Sequence, residues 1–190
     1  MGDSLTEGYG IDLSCRWTDL LARETGWEIV NSGISGDTTG GMVARFHSMV
    51  IAHGPSHVII LGGSNDVFFG LPNSQTVSHI HAMTRLARHH GITAVIGIPT
   101  RYFEQNATPA YDSPFVTPIE ISRHLDEYRR VLRDYMVADE QILIDFSIGM
   151  TTDHFLPDGV HPNEKGHEQM MKNAKSVLEN VLHYGNGEME

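Results

Sequence analysis

Apolar positions follow two patterns along the chain. Short runs such as 57–61 and 92–98 are almost wholly apolar and are bounded by glycine or proline, which is typical of strands buried on both faces of a sheet. Between these runs lie longer segments whose apolar residues recur every three or four positions, which indicates helices with one buried side. The pattern therefore predicts strands that alternate with helices.

The predicted boundaries come mainly from glycine, proline and capping residues. Helices are predicted over residues 14–25, 42–52 and 74–90, from Pro118 onward, and from the N-cap Asn163 onward. Strands are predicted over residues 27–31, 57–61, 92–98 and 141–146. Residues 100–118, which hold several prolines and aromatic residues, are predicted to be irregular.

This order of elements predicts an α/β fold, a three-layer α/β/α sandwich with a mostly parallel sheet of about five strands. One domain is expected over residues 1–183, and residues 184–190 read as a polar tail. Ligands of such sheets sit beyond the C-terminal ends of the strands. The loops after Asn31 and Leu61 and the loop near Asp158 are expected to meet at that edge.

Composition narrows the classes of function. The 190 residues carry a formal net charge of −11 with 13 Lys and Arg in all, which argues against nucleic acid and anionic membrane surfaces as partners. No apolar run is long enough for a membrane span and no leader pattern is visible, so a cytoplasmic location is expected. The one cysteine, Cys15, has no partner for an internal disulfide.

Twelve histidines raise the question of a metal. His79 and His81 would diverge on a helix, His89 and His90 are adjacent, and neither H-E-x-x-H nor C-x-x-C occurs. We therefore expect no catalytic metal and no cofactor.

The candidate chemistry starts with Ser4, which lies on a glycine-flanked turn before a helix-like run. It could be a nucleophile, or it could simply cap the next helix. His161 could be its base, with Asp158 three residues earlier holding the other ring nitrogen. His154, which has Asp153 beside it, is a rival base on residue types alone.

Donors for an oxyanion are also present. Gly36 has a backbone N–H that a substrate can approach closely, although a plain turn after a strand would explain the same residues. Asn65 has a side-chain amide that could point at an oxyanion, although an Asx turn with Asp66 is an alternative.

Four sequence blocks in this order resemble those of the SGNH, or GDSL, hydrolase family. They are residues 2–8 (Gly-Asp-Ser-Leu-Thr-Glu-Gly), 31–39 (Asn-Ser-Gly-Ile-Ser-Gly-Asp-Thr-Thr), 61–66 (Leu-Gly-Gly-Ser-Asn-Asp) and 157–162 (Pro-Asp-Gly-Val-His-Pro). The resemblance implies the flavodoxin-like fold of that family. It also implies a serine esterase that cleaves small acyl esters through an acyl-enzyme.

The resemblance assigns roles residue by residue. Ser4 would be the nucleophile, and the matching Asp-x-x-His would be Asp158 and His161 rather than a pair with His154. The N–H groups of Ser4 and Gly36 and the amide of Asn65 would form the oxyanion hole.

Two departures from the family pattern stand out. Within the third block, Gly63-Ser64-Asn65-Asp66 fits the usual Gly-x-Asn-Asp of the family, and the extra glycine in front of it, Gly62, is expected to be harmless. Family members also have a strand that leads into the Gly-Asp-Ser turn, whereas here only Met1 precedes Gly2. We expect Met1 to be an internal methionine of a protein that begins with a short β-rich segment upstream.

Several functions remain open at this point. A carbohydrate O-acetylesterase and a lysophospholipase or acyl thioesterase are alternatives within the enzyme class. Outside it stands a non-catalytic α/β ligand-binding module, which the absence of G-x-x-x-x-G-K-[ST] disfavours. An α/β-hydrolase is disfavoured because G-x-S-x-G is missing.

The aromatic residues expected to border an acyl pocket are Tyr102, Phe103 or Tyr111 on one side and Phe68 and Phe69 on the other.

Overall fold

The computed structural model describes residues 1–103 and 115–184. Helices and strands alternate along these residues, as the hydrophobic pattern predicts. The elements are α1 (Ser4–Glu7), α2 (Trp17–Thr25), α3 (Thr39–Met49), β1 (His57–Leu61), α4 (Ser64–Phe68), α5 (Asn73–His89), β2 (Thr93–Ile98), α6 (Pro118–Ala138), β3 (Ile142–Asp145) and α7 (Glu164–Tyr184). Within this part of the chain, no helix combines the length and apolar character needed to cross a membrane.

The three strands form a parallel sheet in the order β1-β2-β3. Val58 pairs with Ala94 in the first ladder, and Val95 pairs with Ile142 in the second. Successive side chains of a strand point to opposite faces, so each strand contributes to two cores. In β1, Ile60 packs into one apolar cluster and Leu61 into the other.

Helices cover both faces of the sheet and give it three layers. The cluster on one face is built from α3, α5 and α6, with fully buried Phe46, Ile80, Met83, Tyr128 and Leu132. The cluster on the other face is built from α2 and α7, with Leu20, Leu21, Met170 and Ala174. The prediction of an α/β fold with a parallel sheet is confirmed.

The predicted number of strands differs from what the structure shows. Among the described residues the sheet has three strands rather than about five, and residues 27–31 form no strand. The extended chain after α2 instead approaches the sheet at one point, where Gly2 forms isolated parallel bridges with Gly33 and Leu61. A single bridging residue is too short for a ladder. Gly2 nevertheless lies between the segments that lead to Gly36 and Asn65.

The start of α2 also differs from its predicted start at residue 14. Asp12 accepts a hydrogen bond from the Ser14 N–H at 2.8 Å and caps a separate 3-10 turn, Leu13–Cys15. Arg16 is then extended, so the α-helix begins only at Trp17. The start of α6 agrees with the sequence, because Thr117 and Glu120 form a reciprocal capping box around Pro118.

A buried histidine joins α7 to the start of α2. The Trp17 N–H donates to Nδ1 of His167 at 3.2 Å. Burial, together with the smaller effects of the neighbouring charges of His161 and Arg16, lowers the pKa of His167 to about 4. The neutral ring can therefore accept the hydrogen bond at physiological pH.

We expect this histidine to make the fold sensitive to acid. An unfolded histidine titrates near pH 6.5, so as the pH falls towards 4 the unfolded state binds a proton that the folded state does not. The free energy of unfolding should fall by up to about 3 kcal/mol over this window, at about 1.4 kcal/mol per pKa unit.

Denaturant unfolding of the wild type and of His167→Gln at a series of pH values measures this effect. Glutamine keeps an acceptor for the Trp17 N–H but does not titrate, so the variant should lose less stability on acidification. Parallel pH dependences for the two proteins would contradict the prediction.

Candidate active site

Tight backbone packing at the C-terminal end of β1 shapes one side of the site. Gly63 has φ 103° and leads into α4, and a side chain on it would collide with the Tyr128 ring. The Tyr128 hydroxyl donates to the Gly62 carbonyl at 2.9 Å. A side chain on Gly62 would meet the Met42 sulfur. The glycine that the sequence marked as a harmless extra is therefore closely packed.

Ser4 lies on the short helix α1 at the same edge of the sheet. Asp3 caps this helix by accepting the Leu5 N–H at 2.9 Å. Burial raises the pKa of Asp3 to about 7, against the lowering effect of this hydrogen bond. Gly2 is obligatory at the approach to the turn, since a Cβ there would collide with Thr6 and the Leu61 carbonyl.

A continuous hydrogen-bonded chain links Ser4, His161 and Asp158. The distance from Ser4 Oγ to His161 Nε2 is 2.9 Å. The distance from His161 Nδ1 to Asp158 Oδ2 is 2.8 Å. In the tautomer with a proton on Nδ1, the ring donates to Asp158 and accepts from the Ser4 hydroxyl. Ser4 is 7% exposed and His161 4% exposed, so the hydroxyl and the imidazole are shielded from water, whereas Asp158 is half-buried.

Asp158 is held in place by more than the imidazole. Its Oδ1 accepts the N–H groups of Val160 and His161, both at 2.9 Å. Burial alone would raise the pKa of Asp158, but the hydrogen bonds from the His161 ring and from the two backbone groups outweigh it. The pKa of Asp158 is therefore lowered, and the carboxylate is charged beside the ring.

His154, the rival base, has a different environment. Its Nδ1 lies 3.1 Å from the Thr151 nitrogen and 3.0 Å from the Thr151 hydroxyl oxygen. The ring closes a 3-10 turn, Thr152–His154, that precedes the Asp158 loop. These contacts are those of a local cap.

Gly36 and Asn65 lie on two loops that are tied to each other. Asn65 Nδ2 donates to the Asp37 carbonyl at 2.9 Å, which uses one of its two amide hydrogens. Gly36 has φ 79° and is exposed, and the space where a side chain would stand is open. Positive φ is therefore the reason for glycine at this position.

Arg45 on α3 was not singled out by the sequence. Its guanidinium donates to the carbonyls of Gly2 and Ser32, each at 2.8 Å, and to Asp37 Oδ2 at 2.7 Å. It thereby joins the turn before Ser4 to the loop that carries Gly36. No sequence signal marks an arginine that donates mainly to backbone carbonyls.

Asp66 is a second residue whose part in the site only the structure reveals. Its fully buried carboxylate accepts the Thr39 N–H at 2.9 Å and also the Thr39 hydroxyl. The Thr39 oxygen in turn lies 3.0 Å from His79 Nδ1. The signal was the Asn-Asp pair in the third block, where the aspartate was considered only as part of an Asx turn.

The described residues contain no group of three or more His, Cys, Asp or Glu side chains arranged to hold a metal ion.

Fold and site together define a class. The chain belongs to the GDSL-like lipase/acylhydrolase family, whose family model matches residues 1–169. It is a carboxylic ester hydrolase of the GDSL type.

Known relatives carry names within that class. The chain is 25% identical over 193 residues to esterase TesA of Pseudomonas aeruginosa, a match that covers 96% of this chain and 87% of TesA. It is 33% identical over 120 residues to an arylesterase of Vibrio mimicus, covering 59% of this chain and 60% of that protein. The crystal structure of a GDSL-like lipase from Bacteroides thetaiotaomicron VPI-5482 superposes with a TM-score of 0.78 at 22% identity, covering 95% of this chain and 86% of that chain.

Proposed function

We propose that Ser4 is the nucleophile, His161 the general base and Asp158 the residue that orients it, in the hydrolysis of small acyl esters. The observation that carries the proposal is the hydrogen-bonded chain from Ser4 Oγ through His161 to Asp158. A serine hydroxyl is a weak nucleophile unless a base lies within hydrogen-bond reach. Ser4 Oγ and His161, and His161 and Asp158, lie within hydrogen-bond distance of each other. The names of TesA and the arylesterase support the reaction class.

Acylation proceeds by addition and elimination. His161 Nε2 takes the Ser4 proton as Oγ bonds to the ester carbonyl carbon, and the carbonyl oxygen becomes an oxyanion. The proton on Nε2 then passes to the alcohol oxygen as the carbon–oxygen bond breaks, which leaves an acyl-enzyme. Throughout, the Asp158 carboxylate stabilises the imidazolium.

The oxyanion would be held by three donors, namely the N–H groups of Ser4 and Gly36 and the second amide hydrogen of Asn65. Such donors act most strongly when they are fixed before the reaction. The bond from Asn65 to the Asp37 carbonyl and the Arg45 contacts supply that fixation. Water, activated by His161, then attacks the acyl-enzyme and releases the acid and Ser4.

The acyl side of the substrate is assigned to the surface that follows Asn65. Phe69 N–H donates to the Asn65 carbonyl at 2.9 Å, so Asn65 and the two phenylalanines share one turn. Phe68 packs edge-on against Tyr102 with ring centroids 6.1 Å apart. Phe69 packs in the same way against Phe115, with ring centroids 6.0 Å apart. Because the rings of Phe68 and Tyr102 are in contact, we assign both residues to the same wall of the proposed acyl pocket rather than to opposite walls. Phe103 packs on Phe155, and Tyr111 lies outside the described residues.

The proposal is tested with one panel of substrates. Nitrophenyl esters of increasing acyl length, an acetylated sugar, a lysophospholipid and an acyl thioester should be compared for the wild type and for Ser4→Ala. Ser4-dependent turnover of the nitrophenyl esters is expected. Faster release of acetate from the sugar would favour the O-acetylesterase. Turnover confined to the lysophospholipid or the thioester would favour those alternatives.

Phe68→Ala should change the acyl-length preference within that panel. Removing the ring should lower kcat/KM for medium-chain esters by roughly tenfold relative to acetate, because each methylene that loses its contact costs about 1 kcal/mol. Phe103→Ala, whose ring packs on Phe155 instead, is the comparison. An unchanged length preference in Phe68→Ala would contradict this placement of the acyl chain.

A further inference from the structure

An aromatic ring lies against the imidazole of the proposed base. The ring centroids of Tyr9 and His161 are 4.4 Å apart, and the ring planes meet at 37°. His161 is 4% exposed, whereas Tyr9 is 49% exposed. Tyr9 therefore contacts the base with part of its ring and presents the rest to solvent at the mouth of the site.

The backbone fixes Tyr9 relative to the nucleophile. Helix α1 is capped at its C-terminal end by Gly8, which has φ 87°, and a side chain there would collide with the Arg16 side chain. The N–H groups of Gly8 and Tyr9 both donate to the Ser4 carbonyl, at 3.0 and 3.2 Å. One residue thus carries the reacting hydroxyl and anchors the aromatic residue.

The direction of proton transfer assigns a part of the substrate to this ring. During acylation the alcohol oxygen must lie within hydrogen-bond reach of His161 Nε2, since it receives the proton held there. The acyl chain is assigned to the side of the loops of Gly36 and Asn65, which supply two of the three proposed oxyanion donors. A ring packed on His161 therefore borders the leaving alcohol rather than the acyl group.

We propose that Tyr9 is a specificity-determining residue that contacts the leaving alcohol and favours aromatic alcohols over alkyl ones. The inference rests on the proposed function, because it uses His161 as the proton donor to that alcohol. Aromatic rings prefer offset or tilted contacts with each other, and the exposed part of Tyr9 offers such a surface.

The test varies the alcohol at a constant acyl group. kcat/KM reports every step through release of the alcohol, so it should be measured for phenyl acetate and ethyl acetate with the wild type, Tyr9→Ala, Tyr9→Leu and Tyr9→Phe. Tyr9→Ala and Tyr9→Leu should lower the phenyl-to-ethyl ratio of kcat/KM by about fivefold to tenfold, the size expected for one aromatic contact. Tyr9→Phe should keep the wild-type ratio.

A second pair of esters varies the acyl group at a constant alcohol. The ratio for nitrophenyl acetate and nitrophenyl octanoate should be the same in all four proteins. Tyr135 provides a matched control, since it is 42% exposed and its ring packs on another histidine, His81. Tyr135→Ala should leave both ratios unchanged.

Three outcomes would overturn the inference. An equal loss for phenyl and ethyl acetate would make Tyr9 a support for His161 alone, and an altered acyl-length ratio would place it on the acyl side. An unchanged phenyl-to-ethyl ratio in both Tyr9→Ala and Tyr9→Leu would leave it without a role in specificity. Failure of the proposed function is distinct, because the wild type itself would then show no Ser4-dependent hydrolysis, and the inference would fall with it.

Discussion

Ser4→Ala and His161→Ala are each expected to lower kcat/KM by about 10⁴- to 10⁶-fold, the range seen when one member of such a unit is removed. The two side chains share one hydrogen bond of 2.9 Å, and in the proposed mechanism they act in the same proton transfer. When either side chain is removed, the other can no longer take part in that proton transfer. The double variant should therefore be little worse than either single variant, and steady-state kinetics with a nitrophenyl ester measures all three.

His154→Ala is the matched control for this experiment. His154 is the histidine that precedes His161 in the sequence and also has an aspartate beside it, but its ring is engaged with Thr151. Its removal should leave kcat/KM within a few-fold of wild type. Asp158→Asn should cost less than His161→Ala, because orientation contributes less than proton transfer. Fully active Ser4→Ala protein, or equal losses for the two histidine variants, would contradict the assignment.

Asn65→Ala is expected to lower kcat by about 10²- to 10³-fold with little change in KM, because an oxyanion donor acts mainly in the transition state. In free-energy terms the loss is about 3–4 kcal/mol of transition-state stabilisation. A rise in KM alone would instead make Asn65 a residue that binds the ground state.

The structure adds a complication that a control must remove. Asn65 also ties two loops through the Asp37 carbonyl, so its loss could act by loosening them. Asn31→Ala is the comparison, since the Asn31 amide likewise donates to a backbone carbonyl near the site, that of Thr6, at 2.6 Å. Asn31→Ala should lower the melting temperature but keep kcat within about tenfold of wild type, well short of the loss expected for an oxyanion donor. Similar losses of kcat in both variants would assign the effect to loop packing.

The hydrophobic pattern predicted the fold best for the strands that are buried on both faces of the sheet. The runs around β1, β2 and β3 are apolar at nearly every position because helices cover both faces of the sheet. The segment 27–31 shows the limit. Trp27 and Ile29 pack against the core and Val30 is exposed, as in a half-buried strand, yet hydrogen bonding reaches the sheet only at Gly33. Periodicity reports which side chains are buried and not which backbone groups find partners.

Some residues of the candidate site could be predicted from the sequence and others could not. Ser4, Asp158 and His161 belong to recognisable blocks, and the structure brings them within hydrogen-bond distance. Arg45 and Tyr9 could not be found from the sequence. Two of the three acceptors of Arg45 are backbone carbonyls, which every residue possesses, and the ring of Tyr9 contacts that of His161 across 152 positions of the chain. Such contacts depend on the folded backbone, which the blocks alone do not specify.

Covalent labelling of the nucleophile tests the central claim most directly. The wild-type protein should be treated with a fluorophosphonate, which reacts with an activated serine, and the adduct located by tandem mass spectrometry of its peptides. We predict a single phosphonyl group on Ser4, loss of ester hydrolysis in step with labelling, and no labelling of His161→Ala. An unmodified Ser4 in fully inhibited protein, or an adduct on Ser35 or Ser64 of the neighbouring loops, would contradict the account.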